Sequence, residues 1–218
     1  ILNSMGIQPD FLVARSEKEI DQRRRERLAM FCNMSDENIV ANPDLDSIYK
    51  VPIFMDEQRL TEKLLKKLGL RARKRDMKEW RGFVGRLERA KREVRIGVVG
   101  KYFATGDFVL SDAYLCVLEA LKHAGAAVGV KPVIECISTE EVGKLGAKKV
   151  LGGYDAIIVP QGWGSRGVEE KLETVRYARE NKVPYLGLCF GMQMAVIEFA
   201  RNVLGLKGAN TEEADPKA

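Results

Sequence analysis

In the second half of the chain, short apolar runs rich in β-branched residues alternate with longer stretches whose apolar positions recur at helical spacing. Val94-Arg-Ile-Gly-Val-Val-Gly-Lys101 predicts a buried strand, and so do residues 133–137, 156–159 and 185–188. Between them the pattern predicts helices over 112–124, capped by Ser111 or Asp112 and ended by Gly125, over 140–151 and over 168–180. Strands and helices in this succession, with short connections, predict a doubly wound parallel sheet. The first half is more broken. Phe11-Leu-Val-Ala14 predicts a short strand, and Ser16 as N-cap with Glu19 at the capping-box position predicts a charged helix from residue 17 to about 28. Ala29-Met-Phe-Cys32 reads as a second strand, Ile39-Val40 as the start of another, and Pro52 as the close of this α/β unit. Leu60, Leu64, Leu65 and Leu68, then Met77, Trp80, Phe83, Val84 and Leu87, predict two helices parted at Gly69. The second is charged on one face and is expected to bridge two domains.

The most informative stretch is 183–200, a short apolar run that continues as a helix. Gln193 and Glu198 are the only polar side chains of that helix, which predicts that it is mostly buried. At the join stands Gly187-Leu-Cys189-Phe-Gly191, the G-x-S-x-G nucleophile-elbow spacing with Cys in place of Ser. A nucleophile on a sharp strand-to-helix turn takes a strained backbone, and flanking glycines leave room for it. The unpaired N–H groups and dipole of the following helix favour a thiolate. The same pattern also suits an inert free cysteine buried at a strand end. A second segment, Tyr154-Asp-Ala-Ile-Ile-Val-Pro-Gln-Gly-Trp-Gly-Ser-Arg-Gly167, runs a buried strand into a glycine-rich turn whose backbone N–H groups can supply an oxyanion donor.

Composition changes little in this picture. At 218 residues, 45% hydrophobic and 31% charged, the chain has room for a sizeable core. No apolar run approaches the ~20 residues of a membrane span. Cys32, Cys116, Cys136 and Cys189 are too irregularly spaced for a metal site or a disulfide framework, which points to a reducing cytoplasm. The net charge of +5, with basic runs at 23–25 and 71–75 interspersed with acids, fits nucleotide phosphates better than nucleic acid. Gly97-x-x-Gly100 is not a dinucleotide fingerprint, and no G-x-x-x-x-G-K-[ST] loop is present. Ile1-Leu-Asn-Ser, with neither an initiator Met nor a signal-peptide pattern, reads as the interior of a longer chain.

Pro160-Gln-Gly-Trp-Gly-Ser-Arg-Gly167, followed by Arg176-Tyr-Ala-Arg-Glu-Asn-Lys-Val-Pro-Tyr-Leu-Gly-Leu-Cys-Phe-Gly-Met-Gln193 and by 195–210, resembles the class I glutamine amidotransferase domain of the CTP synthase family. Gly6-Ile-Gln-Pro-Asp10, Arg15-Ser16, Leu28-Ala-Met-Phe-Cys-Asn33 and Asp46-Ser-Ile-Tyr-Lys-Val-Pro52 resemble the end of its ATP-dependent synthetase domain. The resemblance implies an α/β synthetase end over 1–83, a linker over 84–93, and the front half of a flavodoxin-like amidotransferase domain over 94–218. It implies ATP-dependent amination of UTP to CTP with ammonia from glutamine, in a cytoplasmic homo-oligomer, a tetramer by family. Cys189 is then the nucleophile, the N–H groups of Gly162 and Phe190 hold the oxyanion, and Gln193 helps to bind glutamine. Arg27, where the family has Lys, falls at a pyrimidine-nucleotide contact, and Pro43-Asp44-Leu45 matches the adenine-contact loop. ATP, Mg²⁺ and a GTP effector are the implied ligands, with no metal ligand in this chain.

The sequence departs from the family at Gln161 and Trp163, where it has Gly and Phe, and the tail from Asn210 drifts from the usual pattern. The family's catalytic His and Glu follow the elbow at a distance, and its phosphate loop and Mg²⁺ carboxylates lie upstream. His123, the chain's one histidine, reads as a solvent-facing helix-end residue and not as the base for Cys189. The 218-residue polypeptide alone is therefore expected to associate and to release no ammonia from glutamine. Two other readings compete: a non-catalytic flavodoxin-like module whose pocket Gln161 closes, and an elbow-cysteine hydrolase or redox sensor.

Overall fold

The structure, a computed structural model, describes residues 2–71, 73, 75–105, 108, 109 and 111–215. Its contacts divide the chain into two units, one ending at Gly85 and the other beginning at Arg86.

In the first unit, β1 (Leu12–Ser16) and β2 (Ile39–Pro43) pair in parallel, with Leu12 opposite Ile39 and Ser16 opposite Pro43. The connecting helix α1 (Gln22–Cys32) starts later than Ser16 would place it. Ser16 closes the ladder of β1, and Asp21 is the cap, its carboxylate accepting from the Arg24 N–H at 2.8 Å. Residues 29–32 form the last helical turn instead of a strand, since a four-residue apolar run suits either element. Ile39, Val40 and Ala41 of β2 are fully buried. Ala41 finds a ladder partner in a side chain: the Gln58 amide accepts from its N–H and donates to its carbonyl, both at 2.8 Å. Pro52 lies in the first turn of α2 (Val51–Glu57), where a missing N–H costs nothing, so it opens a helix and does not close the unit. After α3 (Leu60–Lys67) the chain turns at Gly69, φ 68°. Helix α4 (Lys78–Arg89) sets Trp80 and Phe83 against the buried Tyr49 ring, and the Trp80 indole donates to the Tyr49 carbonyl at 2.8 Å.

The second unit runs β3 (Glu93–Gly100), a small antiparallel pair of β4 (Ala104–Thr105) and β5 (Phe108–Val109), α5 (Leu115–Val128), β6 (Lys131–Ser138), α6 (Thr139–Leu145), α7 (Ala147–Leu151), β7 (Ala156–Val159), α8 (Val168–Glu180), β8 (Tyr185–Gly187) and α9 (Phe190–Asn202). Strands β6, β3, β7 and β8 form one parallel sheet in that order. Side chains alternate along β3. Ile96 and Val98 pack with Val117, Leu118 and Leu121 of α5, while Val99 packs with Val142, Leu151 and Ala178 on the other face. The sheet is thus doubly wound, with α5 on one face and α6 to α8 on the other.

Three helices differ from the sequence pattern for identifiable reasons. Helix α5 passes through Gly125 and ends at Gly129, φ 73°. Gly125 serves close packing, because a Cβ there would lie 2.6 Å from Pro132 and 2.7 Å from the Val130 carbonyl. The helix expected over 140–151 breaks in two at Gly146, φ 82°. Helix α9 is less buried than its composition suggests: Phe190, Met194 and Ile197 face inward, whereas Met192 and Val196 are more than half exposed.

The buried polar residue of α9 is Glu198, 1% exposed, which accepts from Arg179 of α8 at 2.8 and 3.0 Å and from Asn202 at 3.0 Å. Burial alone pushes this carboxyl up, but the hydrogen bonds from Arg179 and Asn202 outweigh it and hold the group below the usual carboxylate range. Replacing Arg179 by Met strands a buried charge and is expected to cost roughly 3 kcal/mol in urea unfolding at neutral pH. Adding Glu198→Leu to that variant should restore most of the loss.

Candidate active site

The parallel order of the sheet puts the carboxyl ends of β7 and β8 side by side. Beyond β8, the Leu188 N–H still donates to the Val159 carbonyl at 2.9 Å. Cys189 then takes φ 52° and ψ −111° and caps α9. This strained backbone is held by local hydrogen bonds: Gly191 N–H to the Leu188 carbonyl at 3.0 Å, and Met192 and Gln193 N–H to the Cys189 carbonyl at 3.0 and 3.3 Å. The glycines are required by contact. A Cβ on residue 191 would sit 1.9 Å from the Val159 carbonyl oxygen, and one on residue 187 would sit 2.5 Å from the Gly191 backbone. Tyr185 braces the same point, its hydroxyl donating to the Gly191 carbonyl at 2.8 Å, and burial pushes its phenol above the ordinary range. Cys189 is exposed and the next residue, Phe190, is fully buried. Phe190 opens α9, where backbone N–H groups have no intrahelical partner.

The turn after β7 passes Gly162 at φ 142° and Gly164 at φ 90°. Its successive carbonyls are each taken by a buried side chain. Tyr114 donates to Gln161 at 3.0 Å, Lys171 donates to Gly162 at 2.9 Å, and Lys101 donates to Trp163. Gly164 N–H reaches the Glu213 carbonyl at 3.0 Å, and Thr211 donates to the Gln193 side chain at 2.8 Å, so residues 211–213 tie the turn to α9. Burial pushes the Tyr114 phenol up to about 12. Lys171 is 0% exposed, its ammonium 4.8 Å from the Phe190 ring centroid. Burial first, then the neighbouring Lys101 charge, pulls it down to about 8 against a partial opposing pull from Cys189. Lys101 is lowered as well, by burial and by Arg166.

Cys189, Phe190 and Gly162 therefore come together at adjacent strand ends, with Gln193 one turn into α9. His123 does not join them. It is exposed in the second half of α5, which descends from the carboxyl ends towards the amino ends on the face opposite α8. In the first unit, Asp44 beyond β2 accepts from Arg15 at 2.7 Å, Pro43 closes β2 and Leu45 is half-buried, while Arg27 is exposed on α1. Among the described residues no bond joins Arg27 to residues 43–45. The buried Asn42 Oδ1 has no partner in that segment. No group of three or more His, Cys, Asp or Glu among the described residues is placed to hold a metal, and no helix among them is long and apolar enough to cross a membrane.

Sequence reasoning passed over Lys101, Tyr114 and Lys171. A signal existed for Lys171, since residues 168, 171, 172, 175 and 178 form one helical stripe and the other four are apolar.

Residues 109–216 match the family model described as Glutamine amidotransferase class-I, and residues 1–70 match that of the CTP synthase N-terminus. The CTP synthase of Caldanaerobacter subterraneus subsp. tengcongensis is 47% identical over 215 residues, which are 99% of this chain and 39% of that protein. The CTP synthase of Thermococcus gammatolerans is 45% identical over 216 residues, with the same coverage of 99% and 39%. The chain belongs to the CTP synthase family. It spans about two fifths of the length of these curated relatives. A solved structure described as the glutaminase domain of Trypanosoma brucei CTPS with bound acivicin has a TM-score of 0.50 at 42% identity, covering 57% of this chain and 47% of that one. The mixed α/β architecture with a doubly wound parallel sheet agrees with that likeness.

Gly191→Ala tests the elbow. Its methyl group has no space short of the Val159 carbonyl, so the turn must open. A loss of about 3 kcal/mol in urea unfolding is expected, with a change in the reactivity of Cys189.

Proposed function

We propose that the protein containing this chain makes CTP from UTP, with ATP to activate the pyrimidine and glutamine to supply ammonia. The observation that supports this most is the elbow: an exposed thiol at a strained, positive-φ helix N-terminus, one strand away from the glycine turn at Gly162. On this reading the Cys189 thiolate attacks the side-chain amide carbon of glutamine. The N–H groups of Gly162 and Phe190 hold the developing oxyanion, and Gln193 lines the glutamine pocket. Ammonia leaves, water hydrolyses the thioester to glutamate, and the ammonia displaces phosphate from an ATP-phosphorylated UTP.

By the resemblance, the base for the thiol and its orienting carboxylate lie on a segment later than the elbow. Residues 1–83 form the end of the synthetase domain, 84–93 the linker and 94–218 the front of the amidotransferase domain. Arg27 and residues 43–45 contact the pyrimidine nucleotide and the adenine, with Mg²⁺ accompanying ATP and GTP acting as effector in a cytoplasmic homotetramer. The Arg15–Asp44 pair and the unsatisfied Asn42 oxygen give the adenine segment a charged and polar lining.

Cys189→Ala in the intact protein is expected to abolish CTP formation from glutamine and to spare formation from added ammonia. Equal loss of both activities in a folded variant would exclude Cys189 as the nucleophile. Acivicin should label Cys189 ahead of Cys116, which is also exposed, and ahead of the half-buried Cys32 and Cys136. Equal labelling would favour a non-catalytic module.

A further inference from the structure

Lys171 is the one fully buried lysine among the described residues, and no carboxylate among them acts on it. The titratable groups that face it are Lys101 from beyond β3, the Cys189 thiol from the elbow and, across Gly162, the Tyr114 phenol. Its apolar neighbours on α8 are Val168, Leu172 and Val175, and Phe190 lies beneath its ammonium. Burying an ammonium that only a carbonyl and a ring face answer is costly, and an apolar side chain of similar length would fill the space without that cost.

What the ammonium does is visible at Gly162. A trans peptide points its C=O and the next N–H in opposite directions. Tyr114 on the Gln161 carbonyl fixes the plane before Gly162, and Lys171 on the Gly162 carbonyl fixes the plane after it. Without a Cβ, and at φ 142°, Gly162 has no side-chain restraint of its own.

We propose that Lys171 is a positioning residue of the thiol site: by holding the Gly162 carbonyl inward it stops the Gly162–Trp163 peptide from flipping, so that the Gly162 N–H, whose own peptide Tyr114 holds, stays aimed at the space beside Cys189. This rests on the amidotransferase reading given above. The stabilising partner of the turn is thus also a destabilising element of the fold. Because Lys171 is pulled down to about 8, the unfolded chain holds more protons than the folded one between that pH and the 10.5 of a free lysine. Its cost is therefore fully present below about pH 8 and is relieved as pH rises.

The test is made on the intact protein, with wild type, Lys171→Met and Tyr114→Phe. Cys189 labelling by acivicin is divided by its labelling with iodoacetamide, which cancels the ionised fraction of the thiol. Lys171→Met should lower that ratio about tenfold at neutral pH, the scale of a modest misplacement, while raising the thermal midpoint. The wild-type ratio should fall between about pH 7 and 9 as Lys171 loses its proton, and the Lys171→Met ratio should not follow. Tyr114→Phe should lower the ratio and keep the wild-type pH trend. An unchanged ratio in Lys171→Met overturns the proposal, as does a fall in both ratio and thermal midpoint, which marks a packing role. Should acivicin spare Cys189 in the wild type, the amidotransferase reading falls and this proposal with it.

Discussion

The site depends on one steric constraint, the approach of the first turn of α9 to the backbone of β7. A helix whose N-terminus rests on a strand carbonyl can tolerate no Cβ at the contact, and Gly191 meets Val159 there. Once that approach is made, the chain between β8 and α9 has little freedom. Leu188 must still complete the ladder, Gly187 must clear the Gly191 backbone, and Cys189 is left to absorb the turn at positive φ. The strain is small beside the ladder bonds and the burial of Phe190 that over-determine it. Because β7 and β8 are parallel neighbours, the same geometry delivers the thiol beside the segment that leaves the end of β7. In an open α/β sheet that is where ligands collect.

That segment is a glycine-rich turn with no rigidity of its own. Three side chains from three separate places, Tyr114, Lys171 and Lys101, each take one of its carbonyls, and residues 211–213 take an N–H and reach α9. Glycine makes the unusual φ values accessible, and the surrounding donors remove the freedom that glycine brings. The elbow is thus restrained by sterics and the facing turn by hydrogen bonds.

This difference explains what could be read in advance. Strand and helix positions of the second unit follow from β-branched runs and helical periodicity, and β7 and α8 lie where those patterns place them. The elbow was legible because its constraint is local: strand, glycine, cysteine, glycine and helix are consecutive in the chain. The carbonyl bonds were not legible, since Lys101 and Tyr114 reach the turn from more than forty residues away. Glycines misled for a similar reason. Gly125 looks like a helix stop but answers Pro132 across the packing, and Gly146 breaks a helix whose amphipathic pattern runs on. In the first unit, α1 was displaced because Ser16 is spoken for by the ladder of β1 and Asp21 offers the better cap.

Two buried charges on the α8–α9 layer show how differently the same physics can be used. Glu198 is matched by a guanidinium on two sides and by Asn202, so its charge is satisfied and it fastens α9 to α8. Lys171, one turn into α8, has a neutral carbonyl and an aromatic face, with Lys101 adding repulsion. Both groups lose solvation, and only the first regains it in full. A burial penalty left standing beside a thiol and an adjustable turn is the kind of local inconsistency expected at a functional site. The first charge holds the helix pair at the far end of α9. The second holds the geometry of a single peptide at its near end, where a displacement of a fraction of an ångström changes what the N–H groups face.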